Sequence, residues 1–301
     1  MVQAFRHGTA AAWIAALMLA LSGPVQAADL AITPTCTLPA GPVRSVTRVL
    51  DGDTLQLDDG SELRLIGALA PHAHDVGADA GAWPLAEEAR QTLSHLVLGR
   101  SIALAFGGQR NDRYGRWLAQ AVVESEDRKE WVQGHMIARG MARAYLPPDN
   151  IACLSDLLDL ERPAREGRLG LWTSAAYQVR SVQSAQGLLA YRHTFQLVQG
   201  RIAAVSKARG AIYLNFTEDR RGFAAVLKRS GNAPPDLTID SMVGRTALVR
   251  GWIDRHSGPI VEIETAGQIE FIDGPDTVGS IQPPPRRGKR NVPGGSTAGH
   301  E

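Results

Sequence analysis

Cysteine is nearly missing from this chain: Cys36 and Cys153 are its only two. Two thiolates do not make a structural zinc site, which asks for four ligands of the Cys/His type. Aromatic residues are sparse, at 6%. Neither charge dominates, with Lys+Arg at 32 against Asp+Glu at 31. That balance argues against a general polyanion-binding scaffold, so any contact with nucleic acid has to come from a local patch. Long apolar runs are absent except near the start, where residues 10–21 are too short to span a bilayer comfortably. What remains is 301 residues, 44% of them hydrophobic, enough for one large or two modest domains with real cores.

The first residues form a leader pattern. Arg6 and His7 supply a charged start, 10–21 an apolar stretch, Gly23 and Pro24 a break, and Val25-Gln26-Ala27 a small-residue cleavage site. Residues 1–27 therefore read as a secretory signal peptide, with the mature chain beginning near Ala28 and no stable membrane insertion after cleavage. No cysteine stands at the cleavage site to take a lipid. The expected location is periplasmic or secreted. In an oxidising compartment, Cys36 and Cys153 most simply pair with each other; two separate buried thiols are the alternative. Closing so long a loop would stabilise by about 3–5 kcal/mol in the chain-entropy account.

Along the mature chain, 28–42 is an extended arm with Pro34, Pro39 and Pro42. Strand patterns follow at 44–50, 53–57 and 62–66, then a loop over 68–81. Pro84 opens a helix whose Leu85, Ala89, Leu93, Leu96 and Val97 recur at helical spacing before Gly99 stops it. Residues 101–105 and 117–123 read as two further strands around a polar loop, 107–116. Three strands, a helix and two strands is the order of an OB barrel. Helices are expected at 130–139 and 151–166, the second kinked or shortened by Pro163, with Leu171 and Trp172 as the anchor of the unit 43–174. After a polar connection over 174–192, strand patterns at 194–206, 211–217, 223–228, 246–254 and 259–264 surround a short helix at 236–243. This is a second OB-like barrel within 175–275. From 276 to 301, prolines, Arg286-Arg287 and Lys289-Arg290 mark a disordered basic tail. The fold class is mainly β with helices: an OB-fold barrel followed by another.

The chemistry gathers in 50–75. Asp51 and Asp53 precede the strand at Thr54, Asp58-Asp59-Gly60 is a turn, and Arg64 lies on the returning strand. A hairpin there brings two carboxylates and a guanidinium together, groups suited to a hard cation and to a phosphate oxygen. His72, His74 and Asp75 follow in the next loop. Farther on, Arg110, Arg113 and Arg116 stand with Asp112 and Tyr114 in the polar loop. That reads either as a patch in which Tyr114 stacks a base or as a solvated hairpin with one packed tyrosine. Arg209, Arg220, Arg221, Lys228 and Arg229 give the second barrel positive turns, which are more often solvated than ligand-binding.

Four stretches, LDGDTLQL, RLIGALAP, GQRNDRYGRWLA and the helix ending ARG with the later GLW, resemble the thermonuclease (staphylococcal nuclease-like) family over about residues 43–173. The resemblance implies phosphodiester hydrolysis of DNA and RNA with calcium. It implies a metal carboxylate at Asp53 with Asp51 close by, and a phosphate clamp made of Arg64 and Arg116. It places Tyr114, with Arg113, near the nucleotide. The family pattern Asp-x-Pro-Glu is here Leu69-Ala70-Pro71-His72. Leu69 thus removes a carboxylate ligand, and His72 replaces the glutamate that acts on the attacking water. An imidazole with an ordinary pKa near 6.5 is a usable base. With His74, Asp75 and Asp53 it also makes an N/O set suited to manganese or zinc; ordinary loop histidines are the plainer reading. Two functions stay open: an exported metal-dependent nuclease with an altered site, or an inactive nuclease-fold binding module.

Overall fold

The computed structural model describes residues 31–72, 85–126, 128–145, 147–208, 210–228 and 239–272. The leader, His74, Asp75, Pro84, Arg209, Arg229 and the basic tail lie outside the described residues, as does the side chain of Lys228. The strands β1 (Ala40–Val49), β2 (Thr54–Leu57) and β3 (Glu62–Leu65) form an antiparallel meander. A short strand, β4 (Gly67–Leu69), follows, then α1 (Ala86–Val97), β5 (Ser101–Ala105) and β6 (Trp117–Ser125). β5 pairs with both β1 and β6, and β6 closes the ring by running parallel to β3, with Arg64 opposite Leu118. That closed order is the OB barrel expected from the pattern of strands. Its interior is filled by alternate residues such as Val46, Leu55, Leu57, Leu63, Leu65, Ile102 and Leu104, with Leu93 and Val97 of α1 packed over one end.

The helical part differs in detail from the sequence reading. Arg128–Trp131 is a strand, β7, paired with β6, so α2 is only Val132–Ala138. The reason is tertiary: Trp131 is fully buried, donates its backbone N–H to Ile32 O (2.6 Å) and its indole N–H to Gln120 Oε1 (2.9 Å). β8 (Arg143–Tyr145) pairs with β4, and α3 runs Leu154–Glu166. Pro163 does not end α3, because the only backbone bond it removes is one to the carbonyl of Asp159, on the exposed side of the helix. Leu171 and Trp172 are buried as expected.

The connection 174–192 carries β9 (Arg180–Ser181) and the short helix α4 (Ala185–Leu189). The strand expected at 194–206 is broken into β10 (Phe195–Arg201) and β11 (Ala204–Ala208). β12 (Ala211–Asn215), β13 (Ala224–Lys228), β14 (Thr246–Trp252), β15 (Asp254–Arg255), β16 (Pro259–Ile263) and β17 (Ile269–Phe271) complete the chain. β10 pairs with β14, β11 with β12, β12 with β13, β13 in parallel with β16, and β16 with β15. β14 also pairs with β17, and β10 runs parallel to β9, so this part consists of two sheets, β17-β14-β10-β9 and β11-β12-β13-β16-β15, rather than the single closed ring of the first.

The first barrel and the sheets that follow it share a seam. Leu69 of β4 and Tyr145 of β8 pack against one apolar cluster that joins Ala164, Leu171 and Trp172 to Phe195, Leu197 and Leu248, with Tyr145 edge-on to Phe195. Arg143 donates from Nη1 to Phe195 O (2.6 Å), and Glu161 of α3 takes Ala144 N–H (2.9 Å) together with Arg250 of β14. Arg162 reaches Glu270 across the same boundary (3.1 Å).

Candidate functional site

The hairpin of β2 and β3 sets Thr54 opposite Arg64, and this register carries Asp53 alongside the arginine. Asp53 is fully buried, and each of its carboxylate oxygens is engaged. Oδ1 meets Arg64 Nη1 at 2.6 Å and His72 Nε2 at 3.1 Å, and accepts Thr54 Oγ1–H at 3.2 Å. Oδ2 accepts the backbone N–H of Ala70 at 2.8 Å. Asp51 takes the N–H of Asp53 on Oδ1 (3.0 Å) and lies 3.4 Å from His72 Nε2 through Oδ2. The intervening Gly52 has no room for a side chain: a Cβ there would stand 2.6 Å from that of Ala70 and 2.9 Å from that of Ala89. The DGD turn is thus wedged between the loop that bears His72 and the first turns of α1.

Burial pushes the Asp53 carboxyl above its ordinary range, against the lowering effects of Arg64 and His72. Burial also raises Asp51, yet hydrogen bonds from His72 and Asp53 outweigh it and hold that carboxyl far below the usual value. Arg64 spends only Nη1 on these contacts, including 3.4 Å to Thr54 Oγ1 and 3.3 Å to His72 Nε2. Among the described residues its hydrogen bonds run from Nη1 alone.

Asp51, Asp53 and His72 each offer a ligand atom, all within 4.8 Å of one another. The 3.1 and 3.4 Å separations from His72 Nε2 match the roughly 3.4 Å edge of a tetrahedral shell around an ion bound at about 2.1 Å. Two carboxylates and an imidazole form the N/O donor set of manganese or zinc more than that of calcium, which wants six to eight oxygens. Leu69 takes no part: its side chain turns to the seam, away from Ala70 and the acids.

Arg116 precedes β6 by one residue, about two strand positions or 6–7 Å back from Leu118, the partner of Arg64. Asp112 organises its loop by accepting the N–H groups of Tyr114 (2.8 Å) and Arg116 (3.0 Å) and the Arg116 Nε–H (2.8 Å). Gly115 supplies the positive φ, 83°, that closes the turn. Tyr114 is 69% exposed, with the guanidinium carbons of Arg113 and Arg116 at 4.9 and 5.5 Å from its ring. Thr54 and the Ala70 N–H were passed over in reading the sequence. The threonine of DGDT looks like an ordinary strand residue, and a backbone donor leaves no signal in residue type.

Cys36 and Cys153 form a disulfide, and among the described residues no helix is long and apolar enough to cross a membrane.

Comparison with known proteins bears on this arrangement directly. The family model described as staphylococcal nuclease homologue matches residues 62–174. Thermonuclease of Staphylococcus hyicus is 28% identical over 156 residues, covering 51% of this chain and 85% of that protein. Endonuclease YncB of Bacillus subtilis is 26% identical over 136 residues, 44% of this chain and 63% of that protein. An uncharacterized endonuclease of Escherichia coli O157:H7 is 31% identical over 133 residues, 43% of this chain and 76% of that protein. The family match runs from β3, which carries Arg64, past the buried Leu171 and Trp172, and through that part the chain belongs to the staphylococcal nuclease homologues.

Proposed function

We propose that this protein is an exported, metal-assisted phosphodiesterase acting on DNA or RNA, in which the imidazole of His72 stands where the family pattern it resembles has a carboxylate. The observation that carries the reading is the meeting of Arg64, His72 and the Ala70 N–H on the one buried carboxylate of Asp53. Asp51, Asp53 and His72 would hold the cation, and the donor set favours manganese or zinc over calcium. Such an ion, when bound, polarises a phosphoryl oxygen and acidifies a bound water. Arg64 directs its guanidinium to the phosphate, and Arg116 adds a second positive fork from the neighbouring strand. Exposed Tyr114, flanked by Arg113, offers a stacking face to a base. His72 serves better as ligand than as base, because its Nε2 is committed to both acids.

The second reading, a binding module without turnover, is favoured by one observation. Leu69 is packed into the seam and supplies no oxygen ligand. A cleavage assay separates the two. Mature protein is incubated with single-stranded DNA, double-stranded DNA and RNA in calcium, manganese, zinc or chelator. Cleavage with manganese or zinc that is lost in chelator is expected, and no cleavage with any metal would overturn the enzyme reading. Cleavage that survives Arg64→Ala would overturn the assignment of the phosphate clamp.

A further inference from the structure

The loop that carries Arg116 is held at its stem by two segments distant in sequence. On one side is the N-terminal arm, where Pro39 O accepts the N–H of Phe106 (3.1 Å) and Leu38 lies against Gly107. On the other is the turn 147–153. Buried Asn150 donates from Nδ2 to Gln109 O (3.1 Å), and the Asp149 carbonyl is so close to Gly108 that a Cβ would meet it at 1.7 Å. Ala152 closes on Gly107, with only 3.0 Å for a Cβ between them. The Cys36–Cys153 bond joins these two segments across 117 residues. Asp156 adds to the clamp by accepting the N–H groups of Thr35 (2.8 Å) and Cys36 (3.0 Å).

We propose that the Cys36–Cys153 disulfide, acting through Asn150, positions the arginine loop, so that efficient use of nucleic acid is tied to the oxidised chain. The proposal rests on the reading of Arg116 as a phosphate contact. The tip of the loop is built from its own short-range bonds around Asp112, so loss of the brace leaves the turn intact but lets it swing on a loosened stem. Oxidation is a thiol–disulfide exchange. The two thiols of Cys36 and Cys153 lose two protons and two electrons to a small disulfide such as oxidised glutathione, which leaves as two thiols while the new S–S bond forms. In a reducing compartment the same enzyme would then be poorly assembled at its substrate side while its barrel stays folded.

The test compares the oxidised protein, the dithiothreitol-reduced protein, Cys36→Ser with Cys153→Ser, and Asn150→Ala with its disulfide intact. Amide exchange is read without substrate, and circular dichroism confirms folding. Exchange at Leu118, whose N–H is held by Arg110 O in the stem, is expected to quicken at least about tenfold on reduction and in Asn150→Ala, with Gly115 inside the turn and the strands β2 and β3 unchanged. The KM for single-stranded DNA should rise about threefold or more while kcat stays within about twofold, and re-oxidation of the reduced protein should restore both values. Exchange at Leu118 that does not change, or that rises equally throughout the barrel, would overturn the brace. If Arg116→Ala leaves KM unaltered, it is the substrate role of Arg116 that fails, since the exchange measurement stands without it.

Discussion

At Gly52 a single hydrogen in place of a methyl keeps the site closed. A Cβ there would press Ala70 and Ala89 from 2.6 and 2.9 Å, and Ala70 is the residue whose N–H holds Asp53 Oδ2. Gly52→Ala should therefore cost about 1–3 kcal/mol by overpacking, and should weaken manganese binding as the Ala70 loop is pushed off the carboxylate. Denaturant midpoints and titration calorimetry check the two effects, and a variant of unchanged stability and metal affinity would contradict the wedge. His72 sets the character of the same site through the nitrogen it places between Asp51 and Asp53. His72→Glu restores an all-oxygen set, so zinc affinity should fall by about tenfold or more while calcium affinity rises. Competition between the two ions, followed calorimetrically in wild type and variant, decides it, and an unchanged order of preference would remove His72 from the ligand set.

The turn after β5 is an element whose order depends on one charge. The Asp112 carboxyl lies below its ordinary range: burial alone would raise it, but Arg116 and the N–H groups of Tyr114 and Arg116 more than offset that. A carboxyl depressed in the folded state contributes stability that is complete above its unfolded value, near 3.9, and is lost as pH falls through the lower folded value. The Tyr114 and Arg116 amide resonances should thus hold steady from neutral pH to about pH 4 and shift below it. In Asp112→Asn they should show no such acid step, and an identical step in that variant would assign the titration elsewhere. This element was readable from residue types, since Asp112, Gly115 and the arginines are turn and charge signals. So was the pairing of Asp53 with Arg64, which needs only a short hairpin of known register. β8 was not readable. It is three residues long, and its Arg143 is only 2% exposed because Phe195 and Tyr177 cover it and Phe195 O receives it. The part played by Leu69 is hidden for the same reason: its side chain packs against a cluster drawn from residues 164–172 and from Phe195, Leu197 and Leu248, all distant in sequence. The helix pattern begins at residue 130, yet the helix begins at Val132 because Arg128–Trp131 is drawn into β7 by pairing with β6, a tertiary choice that overrides local preference.

For the whole molecule, the seam decides whether the barrel and the sheets that follow it behave as one body or as two. Its charged centre is buried: Glu161 is fully enclosed and Arg250 is 2% exposed, and they bond to each other while Glu161 also takes the Ala144 N–H. Around them, Arg143 is capped by Phe195 and Tyr177, and Glu270 gathers Arg162 and Arg165 from α3. Removing only the Glu161 carboxylate leaves the buried Arg250 guanidinium with the more distant Glu270 carboxylate, at 3.8 Å, so Glu161→Ala should destabilise by about 3 kcal/mol. Replacing both partners, with Glu161→Leu and Arg250→Met together, removes the desolvation cost along with the attraction and should recover most of that loss. The bond network also crosses between β8 and α3 of the first part and β10 and β14 of the second, so opening either part exposes the other's buried charge. Thermal unfolding followed by calorimetry should accordingly show one transition in the wild type, with calorimetric and van't Hoff enthalpies in agreement. In Glu161→Ala the transition should move down as a unit or separate into two. Two transitions in the wild type, or a double variant no more stable than Glu161→Ala, would show that the charged seam does not couple the two parts, and that their shared stability comes from the apolar contacts around Leu69, Tyr145 and Phe195 alone.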